Sequence, residues 1–344
     1  MNILKKIARG IVRVLRSVIP VKGDTRSELV RKTAFLLALT VFLCSGYYLV
    51  DEVWVQPHYT QQVTQSLRDL YIHGENSEII PPDDTITDIE IPEGVVDRFV
   101  PLYRRNQDVV SWLTFKANSD GKTADLFNGA IDNPVVQAED NDYYLYRNYL
   151  GEKDKAGTLY MDYRNDLSNL TAERNVVIYG HNLNSGLMFS KFNLLVSGKV
   201  ERARALTTLT MDTLYGEKIT YKVFAVMVID ADKAIEDSAK FNYIRTEFSN
   251  DDAFAGFVKK IRDRSLYDYG DVDVLPSDQL LTLSTCSNKR DTTLKEGRTV
   301  IVARRVREGE DVKVDTTKTV LNEDVLMPKA WYINKKKELP EVYQ

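Results

Sequence analysis

Cysteine and histidine are scarce in this chain of 344 residues: Cys44 and Cys286 are the only thiols, and His58, His73 and His181 the only imidazoles. So few soft ligands exclude a metal-ligand cluster, and no phosphate-cradling glycine loop occurs, so no cofactor is expected. Nucleic acid is excluded by charge. The net charge is -4, and residues 1–32 hold nine Lys/Arg against Asp24 and Glu28, leaving 37 Lys/Arg against 48 Asp/Glu beyond them. The chain therefore reads as a basic head on an acidic body. With 43% hydrophobic residues it can bury a substantial core.

Long hydrophobic runs are also scarce, with one exception. Thr33 to Val50 carries no charge over 18 residues, which as a helix is roughly 27 Å, close to the hydrocarbon thickness of a bilayer. A buried core helix or a cleavable signal peptide has similar length, but no Ala-x-Ala-like site follows, and Leu43 before Cys44 is not the small residue that a lipoprotein signal needs. Basic residues precede the run, and Asp51 and Glu52 follow it, so the positive-inside rule puts the N-terminus in the cytoplasm and the body outside. Within residues 1–19, Ile3, Leu4, Ile7, Ile11, Val14, Leu15 and Val18 share one helical arc, with Lys5, Lys6, Arg9, Arg13 and Arg16 opposite. This predicts a basic amphipathic helix on the anionic leaflet, the alternative being a plain topology signal. Cys44 lies in the span as an apolar filler or, alternatively, a site of reversible acylation. Cys286 is thus alone outside the membrane, either as an intermolecular bridge or as a reactive thiol.

The organisation expected is a cytoplasmic segment 1–32, a transmembrane helix 33–50, a polar, partly helical stalk and linker 51–94, a folded domain 95–306 and a charged, poorly packed tail 307–344. The folded domain opens with a short helix through Phe99, Leu102 and Tyr103 and a strand at Trp112 to Phe115. Further strand-like runs are Val135 to Gln137, Gly157 to Met161, Asn175 to Tyr179, Lys218 to Ile229, Leu280 to Ser284 and Thr299 to Val306. One strong helix interrupts them: Ser249 and Asp252 make a capping box, and Phe254, Phe257, Val258 and Ile261 form an apolar stripe. A mainly β fold follows, with a barrel or curled sheet and a helix inserted between late strands.

Chemistry concentrates at three positions. The β-prone run Leu280 to Ser287 reaches Cys286, and a nucleophilic thiol needs a partner that takes its proton. His58 and His73 lie in the stalk, whereas His181 follows the strand Val176 to Tyr179 and Gly180, so thiol and imidazole can emerge on one rim. Arg298 begins the strand after Cys286 and can stabilise an anionic tetrahedral intermediate; its alternative role is a solvated strand-end charge.

Thr282-Leu283-Ser284-Thr285-Cys286 matches the Thr-Leu-x-Thr-Cys signature of sortases, GRTVIVARRV places Arg298 where that family's arginine begins the last strand, and NVVIYGHN at 175–182 resembles the segment bearing its histidine. NQDVVSWL at 106–113, NPVVQAEDNDYYL at 133–145, KAGTLYMDYRN at 155–165 and FNYIRTEFSNDDAF at 241–254 are similar to class B sortases in particular. The resemblance covers about residues 96–306. It implies an eight-stranded sortase-type β-barrel with N-terminal helices and a helix in the loop between strands six and seven.

The implied activity is transpeptidation by a membrane-anchored cysteine enzyme. Cys286 would attack the threonine carbonyl of a C-terminal sorting pentapeptide on a surface protein or pilin, His181 would protonate the leaving amine, and Arg298 would hold the oxyanion. An amine of peptidoglycan or of a pilin would then take the acyl group. By motif position, Ser284, Thr285, Tyr243, Ile244, Asn141 and Leu145 would line the peptide groove, or else serve barrel packing. Asn133 departs from the tyrosine common in the family, and residues 116–131 look longer and more polar than usual. Two rivals are an L,D-type cysteine transpeptidase, which ordinarily has an Arg very soon after its Cys where Ser287 and Asn288 stand here, and a catalytically silent membrane-tethered scaffold.

Overall fold

The computed structural model describes residues 15–74, 79–80, 89–115, 127, 131–170, 172–183, 186–231, 241–285, 294 and 296–343. They fall into two compact units, residues 1–59 and 60–344. In the first, residues 15–18 are helical and the rest of the expected amphipathic helix lies outside the described residues. Helix α1 (Arg26–Val50) starts at a capping box: Thr25 accepts from the Glu28 amide, and the Glu28 carboxylate accepts from the Thr25 amide at 3.0 Å. Lys32 pairs with Asp24 at 2.8 Å. A π-helical turn (Asp51–Val55) joins α1 to α2 (Gln56–His73), and this helical run is long and apolar enough, by length and composition, to cross a membrane.

The second unit begins within α2. Val63, Leu67 and Leu70, one helical turn apart, are buried. The Tyr71 ring lies flat on Trp112 at 4.3 Å, its hydroxyl donates to Asp212 at 2.6 Å, and Arg68 pairs with Asp132 at 2.7 Å. The segment expected to be a polar stalk is therefore docked from Thr60 onward. A 3-10 turn (Asp97–Phe99) and α3 (Val100–Arg105) then lead into the barrel, burying Phe99 and Leu102 as expected.

The barrel is closed by eight strands: β1 (Val109–Phe115), β2 (Asp132–Val136), β3 (Leu159–Met161), β4 (Asn175–Gly180), β5 (Thr208–Thr213), β6 (Lys218–Asp230), β8 (Leu280–Thr285) and β9 (Gly297–Arg305). Their spatial order is β1-β2-β3-β4-β8-β9-β6-β5, so strands distant in sequence become neighbours. β4 pairs with β8 in parallel, and β8 with β9 antiparallel. The short helix α4 (Val200–Ala205) precedes β5. Helix α5 (Asp251–Arg264) stands between the sixth and seventh barrel strands, as the resemblance implies. Its N-cap is Asn250, whose side chain accepts from the Ala253 amide at 2.8 Å, not the Ser249 that the capping-box spacing suggested. Asn250 is the extended residue immediately before the first helical turn, so its side chain reaches the third amide.

The tail also differs from expectation. β10 (Thr319–Leu321) pairs antiparallel with β7 (Tyr267–Tyr269), the Leu326 amide donates to the Asp263 carbonyl at 2.8 Å, and α6 (Lys329–Lys335) buries Ala330. Val314, Thr319 and Tyr343 are buried as well. These apolar anchors are few and unevenly spaced, so they leave no period in the sequence, and pairing onto existing structure needs none. Ahead of them, Arg304 of β9 is buried among Asp273, Asp278 and Glu310, and Lys222 reaches Glu310 at 2.6 Å.

Candidate active site

The register of three neighbouring strands fixes one edge of the barrel. Gly180, the last residue of β4, stands opposite Thr285, the last residue of β8. Ser284 stands opposite Val300, and the Thr299 amide donates to the Thr285 hydroxyl at 3.0 Å. The chain positions just beyond these pairs are His181, residue 286 and Arg298. Cys286 itself lies outside the described residues.

Glycine is required at 180, because a Cβ there would come within 2.5 Å of Leu159 and 2.8 Å of Phe189 side-chain atoms. Beyond it the chain turns back, the Phe189 amide donating to the His181 carbonyl at 3.0 Å while Met188 takes a left-handed φ of 53°. The His181 ring is partly buried. Its Nε2 lies 2.6 Å from the Leu145 carbonyl, and the exposed Tyr146 ring sits 5.5 Å from it. A carbonyl only accepts, so Nε2 carries a proton in this contact.

Burial pushes the imidazole below its ordinary value of 6.5; the Leu145 carbonyl and the Asp154 carboxylate pull the other way, and the Arg298 charge adds to the lowering. Asp154 is in turn held by the Thr60 hydroxyl at 2.7 Å, so α2 supports a residue whose charge acts at this edge.

The Leu145 carbonyl is placed by a 3-10 turn (Tyr143–Tyr146) that packs on Gly157. Gly157 has φ 62°, and a Cβ there would stand 2.7 Å from both the Leu145 and Tyr144 carbonyl oxygens. Arg298 is mostly buried; its guanidinium lies 3.4 Å from the Glu296 and Gly297 carbonyls and 3.6 Å from the Glu296 carboxylate.

Of the positions expected to line a groove, Tyr243 and Ser284 meet, hydroxyl to hydroxyl, at 3.3 Å. Thr285 is fully buried, and its hydroxyl also donates to the Thr299 carbonyl at 3.2 Å. Asn141 donates to Asp162 at 3.3 Å, and Ile244 offers its carbonyl to Arg164 at 2.9 Å. Leu145 contributes the backbone oxygen already described.

Asp162 and Arg164 had not been singled out from sequence. They pair at 2.7 Å, and the Tyr179 hydroxyl donates to the same carboxylate at 2.7 Å. Burial pushes the Asp162 carboxyl up, but Arg164 and Tyr179 outweigh it and hold the group below the usual carboxylate range. This network ties the 141 and 244 segments to β4 two residues before His181. Its members sat in the quoted stretches MDYRN and NVVIYGHN, but a lone Asp and Tyr at strand ends give no periodic signal.

A sortase domain family model matches residues 131–306. Sortase B of Listeria monocytogenes is 30% identical over 275 residues, which is 80% of this chain and 96% of that protein. Sortase B of Staphylococcus aureus is 30% identical over 62% of this chain and 77% of its own length. Among solved structures, a sortase B from B. anthracis superimposes with a TM-score of 0.56 at 31% identity, covering 74% of this chain and all of that one.

Proposed function

Because the chain belongs to the sortase family, in its class B, and is a cysteine transpeptidase, we propose that Cys286 is its nucleophile, His181 its general acid and base, and Arg298 its oxyanion stabiliser. Sortases act on substrates bearing a sorting signal and on amine acceptors. Here the Cys286 thiolate attacks the carbonyl carbon of a threonine in a C-terminal sorting pentapeptide, giving a tetrahedral oxyanion that the Arg298 guanidinium holds. His181 passes its proton to the departing nitrogen, the C–N bond breaks and a thioester remains. An amine of peptidoglycan or of a pilin then attacks the thioester and gives its proton to His181; the C–S bond breaks, and thiolate is restored.

One observation carries this reading: the pairing of Gly180 with Thr285, and of Thr285 with Thr299, supports the meeting of all three groups at a single barrel edge. His181 supports it further, since its environment makes the imidazolium a ready proton donor and its titration feels the Arg298 charge. Tyr243, Ser284, Thr285, Ile244, Asn141 and Leu145 line the peptide groove in this reading. The apolar α1 anchors the protein in the cell membrane as a single span with its N-terminus inside, leaving the barrel on the outer surface. Family membership separates the chain from the L,D-type rival.

The test uses the full chain in detergent micelles with an internally quenched peptide library carrying Thr before the cleaved bond. Cys286→Ala, His181→Ala and Arg298→Ala are each expected to lose turnover by at least about a thousandfold. Equal cleavage by the wild type and Cys286→Ala would end the enzymatic assignment.

A further inference from the structure

We infer that helix α6 braces the start of β9, making Ala330, Met327 and Trp331 positioning residues for the Arg298 guanidinium; this rests on the reading of Arg298 as oxyanion stabiliser.

Ala330, Val228 and Leu294 form an apolar cluster apart from the barrel core, with Val196, Leu266, Met327 and Trp331 packed around it. The cluster gathers chain segments that all bear on one barrel edge. Leu294, 6% exposed, lies in the connection from β8 to β9. Val228 stands opposite Thr299, and its neighbour Ile229 stands opposite Arg298. Val196 closes the turn (Ser190–Ser197) that follows β4 and His181.

Just before Arg298, the Glu296 amide donates to the Asp230 carboxylate at 3.3 Å, and the Glu296 carbonyl accepts from the Ala231 amide at 3.0 Å. The guanidinium rests on the carbonyls of Glu296 and Gly297. Its aim is therefore set by the backbone at Glu296 and Gly297 and by the pairing of β9 with β6, whose Val228 shares its cluster with Ala330, 1% exposed. A guanidinium stabilises a developing oxyanion only if it is already aimed when the charge forms.

Helix α6 is itself held firmly. The Tyr343 hydroxyl donates to the Met327 carbonyl at 3.1 Å, Lys329 to the Tyr343 carbonyl at 2.9 Å, and the Lys337 ammonium lies over the Trp331 ring at 4.6 Å. The Asn322 and Leu326 amides tie the approach to α6 to the Leu266 and Asp263 carbonyls. Barrel closure does not use this segment, since the last barrel strand ends at Arg305.

The test is steady-state cleavage of a quenched sorting-signal peptide by the full chain in micelles. Ala330→Glu, which drives a carboxylate into the cluster, is expected to lower kcat about tenfold or more while KM stays within about twofold, and Ala330→Ser to restore kcat. If Ala330→Glu fails to fold, the double variant Met327→Ala with Trp331→Ala shaves the same cluster without burying charge and is expected to give the same split. Unchanged kcat in a folded variant, or a loss that merely tracks the unfolded fraction in thermal melts, overturns the brace. A wild type without Cys286-dependent turnover fails the underlying reading instead, and is seen before any variant is compared.

Discussion

Replacing Gly157 by alanine tests whether the Leu145 carbonyl governs His181. At φ 62° an L-residue costs about 1–2 kcal/mol. The new Cβ would stand 2.7 Å from two backbone oxygens, so the Tyr143–Tyr146 turn must move. That movement threatens the Thr158 amide bond to the Tyr144 carbonyl, now 3.3 Å, and the 2.6 Å contact of the Leu145 carbonyl with His181, each worth about 1 kcal/mol. Restricting the unfolded chain returns roughly 0.5–1 kcal/mol, leaving a net loss of about 2–3.5 kcal/mol.

The functional consequence has a sign. The carbonyl favours the charged imidazole, so withdrawing it lets burial lower the His181 pKa further. The fragment beginning at Thr60 suits both assays: urea unfolding by tryptophan fluorescence, and NMR titration of the His181 ring. A Gly157→Ala variant within about 0.5 kcal/mol of wild type, with His181 titrating as before, would refute the reasoning.

Three further outcomes are expected. Lowering the pH from about 7.5 to about 5.5 should reduce stability, because burial holds His181 below 6.5 and the unfolded chain binds the proton more readily; stability from this group is complete above that value and lost beneath it. In urea midpoints, His181→Gln should flatten that slope. Glu310→Gln should cost about 2–4 kcal/mol in the same assay, since Arg304 and Lys222 lose the carboxylate that they share; Arg304 holds the Glu310 carboxyl far below its ordinary 4.5, so the wild type loses this contribution as the pH falls through the acid range. Tyr179→Phe should raise peptide KM more than it lowers kcat in steady-state cleavage, because it removes a donor from the Asp162 carboxylate that also holds Arg164 and Asn141.

The proposed site could be picked out from sequence because its positions adjoin the ends of apolar runs. β4, β8 and β9 are each nearly all buried; β4 ends at Gly180, β8 ends at Thr285 and β9 begins at Gly297. What spacing alone does not give is which strands adjoin, since parallel pairing of β4 with β8 joins residues about a hundred apart. The motif resemblance implied a closed eight-stranded barrel, and the strand pairing itself comes from the structure.

β6 shows how a correct local reading still missed a layer. Ile219, Tyr221, Val223, Ala225, Met227 and Ile229 alternate in the sequence, but a bulge between Val223 and Ala225 shifts the register. Val226 and Val228, opposite Ile301 and Thr299, therefore fall on the face of Tyr221 and Val223, and Phe224 is buried too. An apolar outer face marks a strand covered on both sides. Here Arg262 of α5 lies over the Phe224 ring, the Ser265 hydroxyl accepts from the Val226 amide at 3.1 Å, and the Ala330 cluster takes Val228.

β5 escaped for the opposite reason: TLTMDT has only Leu209 and Met211 as large apolar residues, too short a run to separate from a loop. The docked part of α2 has just three buried aliphatic residues, Val63, Leu67 and Leu70, in an otherwise polar stretch, with Tyr71 stacked on Trp112. Both are held by partners outside themselves, the stacked Trp112 for α2 and the flanking β1 and β6 for β5. Stability borrowed from a neighbour leaves its trace in the neighbour's sequence. Buried apolar residues on both faces of β6, Val228 among them, are such a trace of the chain beyond 307.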